Sequence, residues 1–146
     1  TQGVSSAASD VYKRQINGLA FGGAALMASS FDIRIGTNNT SFKFLAATYG
    51  RLNSSWTLPA QIGWPKAKEL LFTGRQVMAE EAYEIGLLNH LVTTDKLMDK
   101  TLEIAEMISN NDPRMVQGLK KLVSENIVED NICASDGRSM EGDNFI

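Results

Sequence analysis

In the segment Ile16 to Gly36, INGLAFGGAALMASSFDIRIG, two adjacent glycines, Gly22 and Gly23, stand where a turn gives way to small residues that suit a helix. Neither carries a Cβ, so ligand atoms can reach the backbone N–H groups directly. The first N–H groups of a helix lack carbonyl partners and together carry about half a unit of positive charge. They suit a carbonyl oxygen gaining negative character, which describes half of an oxyanion hole; one such donor is worth ~3–4 kcal/mol in a transition state. The purely structural alternative is that the pair permits tight helix-strand packing, and a GG pair alone favours that alternative. Gly18, Gly22 and Gly23 fall at the wrong intervals for the G-x-G-x-x-G pattern of dinucleotide sites.

Acid–base groups are sparse around this turn. No Asp or Glu occurs between Asp32 and Glu69, leaving Tyr49, Asn53 and Ser54 as the local polar side chains. Asp32 opens a strand beside Arg34 and reads as a surface carboxylate rather than a base. His90, the single histidine, lies in the apolar run LLNHLV, which suits a packed or rim imidazole better than a catalytic one. Trp56 and Trp64 read as core or pocket-rim residues. Lys66 and Lys68 read as a solvated helix face, with phosphate contact as the alternative. A lone cysteine, Cys133, excludes an internal disulfide and a thiolate zinc cluster.

The elements that would hold the turn can be read on either side of it. Residues 1–15, TQGVSSAASDVYKRQ, show neither helical nor strand periodicity and read as a non-native or disordered tail. From Ile16 the pattern gives a short strand, the glycine turn Gly18 to Gly23, a helix over Ala24 to Ser30 and a strand over Asp32 to Ile35. A turn at Thr37 to Thr40 follows, then the alternating Ser41 to Phe44, then one helical turn over Leu45 to Tyr49 stopped by Gly50. Gly63, Pro65 and Gly74 punctuate the next helices, and Gly86 separates a helix over Glu80 to Ile85 from a strand over Leu87 to Val92. Two amphipathic helices come last. Thr94 is expected to cap the first, which aligns Leu97, Thr101, Leu102, Ala105 and Ile108. Asp112-Pro113 starts the second, which aligns Met115, Val116, Leu119, Leu122 and Val123. Such stripes need a surface to cover them, in the chain's own core or on a neighbouring subunit.

Bulk properties narrow the function classes. At 146 residues, 43% hydrophobic and 21% charged, the chain is long enough for one domain with a core. No run approaches the ~18 apolar residues of a membrane span. Fourteen basic residues against 17 acidic ones give a net charge of −3 with no basic stripe, which disfavours nucleic acid. With no secretory leader read, the expected location is cytoplasmic.

Three blocks in order, INGLAFGGAALMASSFDIRIG, IGWPKAKELLFTGRQVMAEEAYEIGLLNHLV and AEMISNNDPRMVQGLKK, resemble the crotonase (enoyl-CoA hydratase/isomerase) family over roughly Ile16 to Ile127. The resemblance implies an α/β fold: a partial ββα spiral core over residues 16–92, then a C-terminal helical region over 93–146. It implies a fragment of a longer protein that forms trimers or hexamers and acts on acyl-CoA thioesters in fatty acid metabolism. Coenzyme A would enter as part of the substrate, with no other cofactor and no metal. Gly23 matches the second of the family's two oxyanion-hole donors, while nothing in the chain matches the first. Phe21, Gly22, Leu26, Leu45, Ala46 and Tyr49 would line the acyl pocket. The family's two catalytic glutamates fall on Leu26 and Ala46, both apolar, and the loop from Arg51 to Trp56 is shortened. Residues Glu129 to Ile146 depart from the family's closing helices. The implied function is an acyl-CoA-binding, hydratase/isomerase-like protein that stabilises a thioester enolate; the alternatives are a decarboxylase-like enzyme and a non-catalytic CoA-binding paralogue.

Overall fold

A computed structural model describes residues 13–129. The sequence readings on residues 1–12, on Cys133 and on residues 130–146 lie outside the described residues.

The chain makes two turns of a repeating strand–strand–helix unit. The first turn comprises β1 (Lys13–Ile16), β2 (Leu19–Phe21) and α1 (Gly23–Ser29). The second comprises β3 (Ile33–Thr37), β4 (Ser41–Lys43), a single 3-10 turn (Ala47–Tyr49) and α2 (Thr57–Ile62). Each strand lies parallel on its equivalent from the previous turn: Arg14 pairs with Arg34 in β1–β3, and Ala20 pairs with Phe42 in β2–β4. Stacking of equivalent strands is what makes the path a spiral. Next come α3 (Trp64–Thr73), β5 (Gln76–Met78) antiparallel to β4, α4 (Ala79–Glu84), and β6 (His90–Val92) parallel to β3. A 3-10 turn (Thr94–Lys96) leads into α5 (Leu97–Ser109) and α6 (Pro113–Glu129).

Short polar side chains join the two sheets at the corners. The Thr37 hydroxyl donates to Asn17 Oδ1 at 2.9 Å, the Thr40 hydroxyl donates to the Ile16 carbonyl, and the Thr37 N–H donates to Thr40 Oγ1 at 2.9 Å. Gly36 is needed for the approach of the next layer: a Cβ there would lie 2.6 Å from Leu88 Cδ1 and 3.0 Å from Thr40 Oγ1. The main core gathers Ala20, Ala25, Phe42, Phe44, Leu58, Leu70, Val77 and Leu87 between the sheets and α1 to α4. A smaller core joins Ile35 to Leu97 and Ile104 of α5.

Several boundaries differ from the sequence pattern. β1 begins at Lys13, inside the stretch read as a tail, because pairing with Ile33 to Ile35 rather than local periodicity makes it a strand. Leu19 to Phe21, read as part of the glycine turn, is a strand held by Ser41 to Lys43. Leu87 and Leu88 are buried but precede β6, which covers only His90–Val92. Thr93, not Thr94, flanks the N-terminus of the 3-10 turn that precedes α5. On α5 the core takes Ile104, while Leu102 is 59% exposed. On α6 Met115, Leu119, Leu122 and Val123 are all exposed, so that stripe is not buried in the described core. Among the described residues no helix is long and apolar enough to cross a membrane.

Candidate functional site

The N-terminus of α1 opens onto a cavity of about 470 Å³. Gly22 is its N-cap, at φ 54° and ψ −118°, a conformation with positive φ that side chains disfavour. Its own N–H is tied to the end of β4, donating to the Lys43 carbonyl at 2.9 Å, and its carbonyl accepts from Leu26 N–H at 3.1 Å, closing the first helical turn. No side chain caps the helix and no acidic residue sits in its first turn. Gly23 N–H, the first amide of the helix, therefore has no helical carbonyl to donate to and no capping side chain. Gly23 is exposed and lines the cavity, and a Cβ built on it meets nothing within 4 Å. Packing against the fold does not call for glycine at this position.

The opposite wall is the segment that leaves β4. Phe44, Leu45 and Ala46 line the cavity, with Leu26 facing them from α1. Tyr49, Arg51 and Asn53 complete the lining. Gly50 in the left-handed conformation (φ 63°, ψ 35°) stops the 3-10 turn. The Arg51 N–H returns to the Ala46 carbonyl at 2.8 Å and the Gly50 N–H to the Ala47 carbonyl at 3.1 Å, the paired bonds of a Schellman closure. That closure brings Arg51 back beside Ala46. The loop continues through Ser54, a buried residue at φ 57° that does not line the cavity.

Seven residues singled out from sequence thus meet at one cavity: Gly22, Gly23, Leu26, Leu45, Ala46, Tyr49 and Asn53. Phe21 does not; it lies half-buried on β2, one residue before the glycine that turns the chain toward the cavity. Phe44 and Arg51 were missed. Arg51 stands directly after the helix-stopping glycine, and that adjacency was the signal available.

Among the described residues the lining contains no Asp, Glu, His or Cys. Its polar chemistry is one backbone edge, a phenol, an amide and a guanidinium. Asp32 is engaged elsewhere, by Lys120 Nζ at 2.7 Å. His90 is on β6 opposite Ile35. Trp56 lines a separate cavity of about 560 Å³ beyond the other end of α1, and Trp64 is half exposed outside both. Lys66 lies against Glu69 at 3.0 Å and Glu81 at 3.5 Å, and Lys68 is exposed. Among the described residues no cluster of His, Cys, Asp or Glu is arranged to hold a metal.

Comparison with known proteins gives one consistent result. The family model for enoyl-CoA hydratase/isomerase matches residues 14–144. The chain is 36% identical over 110 residues to a carnitinyl-CoA dehydratase of Proteus mirabilis, covering 73% of this chain and 42% of that protein. It is 36% identical over 113 residues to a short-chain-enoyl-CoA hydratase of Clostridium acetobutylicum, covering 75% and 43%. The chain spans less than half the length of these two relatives. Among solved structures it is similar to an enoyl-CoA hydratase from Bacillus anthracis, with a TM-score of 0.71 at 35% identity over 75% of this chain and 44% of that one.

Proposed function

This chain belongs to the enoyl-CoA hydratase/isomerase family, and from that premise we propose that the cavity beside Gly23 takes the acyl-thioester end of an acyl-CoA. Gly23 N–H donates to the thioester oxygen and stabilises negative charge as an enolate develops, while Leu26, Leu45 and Ala46 contact the acyl chain. Coenzyme A enters only as part of the substrate. The observation that carries this reading is that Gly23, whose N–H has neither a helical carbonyl nor a capping side chain to take it, lines the cavity.

Adding water to an enoyl thioester requires a base for the water and an acid for the α-carbon, each worth ~10²–10⁴-fold. With Leu26 and Ala46 lining the cavity and no carboxylate beside them among the described residues, crotonyl-CoA is expected to bind but to be hydrated at least ~10²-fold more slowly than by an ordinary hydratase. A coupled absorbance assay checks this, and hydration at an ordinary enzymatic rate would overturn the roles given to Leu26 and Ala46.

The same lack of a carboxylate favours a second reading, decarboxylation of a malonyl-type thioester. There the carbon–carbon bond to the carboxylate breaks, carbon dioxide leaves, the electron pair enters the thioester enolate, and water supplies the proton to the α-carbon. Acetyl-CoA release from malonyl-CoA is the readout. A non-catalytic CoA-binding role predicts thioester affinity without turnover of either substrate. Assembly as a trimer or hexamer is consistent with the exposed Met115, Leu119, Leu122 and Val123 of α6, and a cytoplasmic location completes the proposal.

A further inference from the structure

Among the described residues, Arg51 is the one charged side chain lining a cavity whose other walls are apolar or neutral. The guanidinium is exposed, and among the described residues no carboxylate pairs with it. The position is built rather than incidental: Gly50 in the left-handed conformation and the 2.8 Å bond from Arg51 N–H to the Ala46 carbonyl anchor its backbone to the residue that forms the cavity wall. Tyr49 and Asn53, which also line the cavity, add neutral hydrogen-bonding groups on the same loop. A planar cation with five donors, flanked by an amide and a phenol, suits a carboxylate, which a guanidinium binds through two parallel hydrogen bonds. We propose that Arg51 is a specificity-determining residue that selects acyl thioesters whose acyl chain ends in a carboxylate. This rests on the reading that the cavity takes an acyl-CoA.

The test compares two five-carbon thioesters, glutaryl-CoA and pentanoyl-CoA, which differ by a carboxylate in place of the terminal methyl. Calorimetric titration of the full 146-residue chain should show glutaryl-CoA binding about tenfold more tightly. Arg51→Gln should abolish that preference by weakening glutaryl-CoA while leaving pentanoyl-CoA unchanged. Arg51→Lys, which keeps the charge but loses the fork, should retain a preference of about two- to threefold. Both variants lie on an exposed side chain, and an unchanged melting temperature confirms that each is folded. Equal binding of the two thioesters by the unaltered chain overturns the inference while leaving thioester binding intact. So does equal weakening of both by Arg51→Gln, which would assign Arg51 to the phosphates of coenzyme A. Failure of both thioesters to bind overturns this inference together with the reading it rests on.

Discussion

At its C-terminal end, α1 has its backbone carbonyls taken up several times over, whereas at its N-terminal end the amides are left without side-chain partners. The hydroxyls of Ser29 and Ser30 donate to the carbonyls of Leu26 and Met27 at 2.9 and 2.7 Å. The Ser29 carbonyl accepts from Gln61 Nε2 at 2.6 Å and from Arg34 Nη1 at 3.4 Å. Arg34, 6% exposed, also donates to the carbonyls of Phe31 and Leu87, each at 2.6 Å, and so ties α1, β3 and the segment before β6 together. Burial pushes its guanidinium below the ordinary arginine value, with neighbouring Asp32 pulling it upward. The N-terminal end has a glycine for a cap and a cavity in front of it. One seven-residue helix therefore has an end tied into the fold and an end that faces a cavity.

The largest effect should come from the closed end. Arg34→Met keeps the side-chain bulk but leaves the Phe31 and Leu87 carbonyls without a charged donor, at a cost of about 3 kcal/mol or more. Thermal or urea unfolding should register this as a large loss of stability; a near-neutral result would mean that water replaces the guanidinium and that this end is not closed. A smaller loss should follow Gly22→Ala at the open end, where positive φ costs an alanine ~1–3 kcal/mol. Because that strain moves the first turn of α1, thioester binding should weaken along with stability. A variant of unchanged stability would show that the turn is less constrained than its dihedrals indicate.

The smallest effect lies away from both ends. Arg75 donates to Glu81 through Nη1 at 2.8 Å and Nη2 at 2.5 Å, and to Glu69 through Nε at 2.7 Å; Lys66 and then Arg75 hold the Glu69 carboxyl below the ordinary glutamate value of 4.5, and Arg75 holds that of Glu81 below it. Their contribution to stability is present above about pH 4.5 and is lost as the pH falls through the lowered folded-state values. Arg75→Gln should therefore destabilise the chain slightly at neutral pH and flatten the acid limb of its stability profile. Thioester affinity should not change, since the cluster does not line the cavity.

The open end was more legible in the sequence than the closed one. Glycine marks a turn by its own conformational freedom, so Gly22, Gly50, Gly74 and Gly86, all at positive φ, could be placed without knowing their neighbours. Gly23 could be suspected for the same reason, but the cavity that it lines could not be read from the pair. Arg34 gave no such signal. A charged residue between Ile33 and Ile35 has the alternation of a strand with one wet face, and its carbonyl partners lie 3, 5 and 53 residues away. β2 was hidden because a three-residue strand is made by the partner it pairs with, not by a pattern of its own. The stripe assigned to α5 slipped from Ile104 to Leu102 for a related reason: periodicity offers two adjoining faces, and contact with Ile35 chooses between them.

The most direct measurement of the account is the carbonyl stretch of a ¹³C-labelled acyl-CoA thioester bound to the chain and to two variants at Gly23. Gly23→Ala keeps the N–H and adds a methyl group that meets no protein atom within 4 Å. Gly23→Pro suits the first position of a helix but deletes the N–H. If Gly23 N–H polarises the thioester, the bound carbonyl shifts to lower frequency in the unaltered chain and in Gly23→Ala, and the shift is lost in Gly23→Pro at unchanged thermal stability. An identical carbonyl frequency in all three, or the same shift surviving in Gly23→Pro, would contradict it.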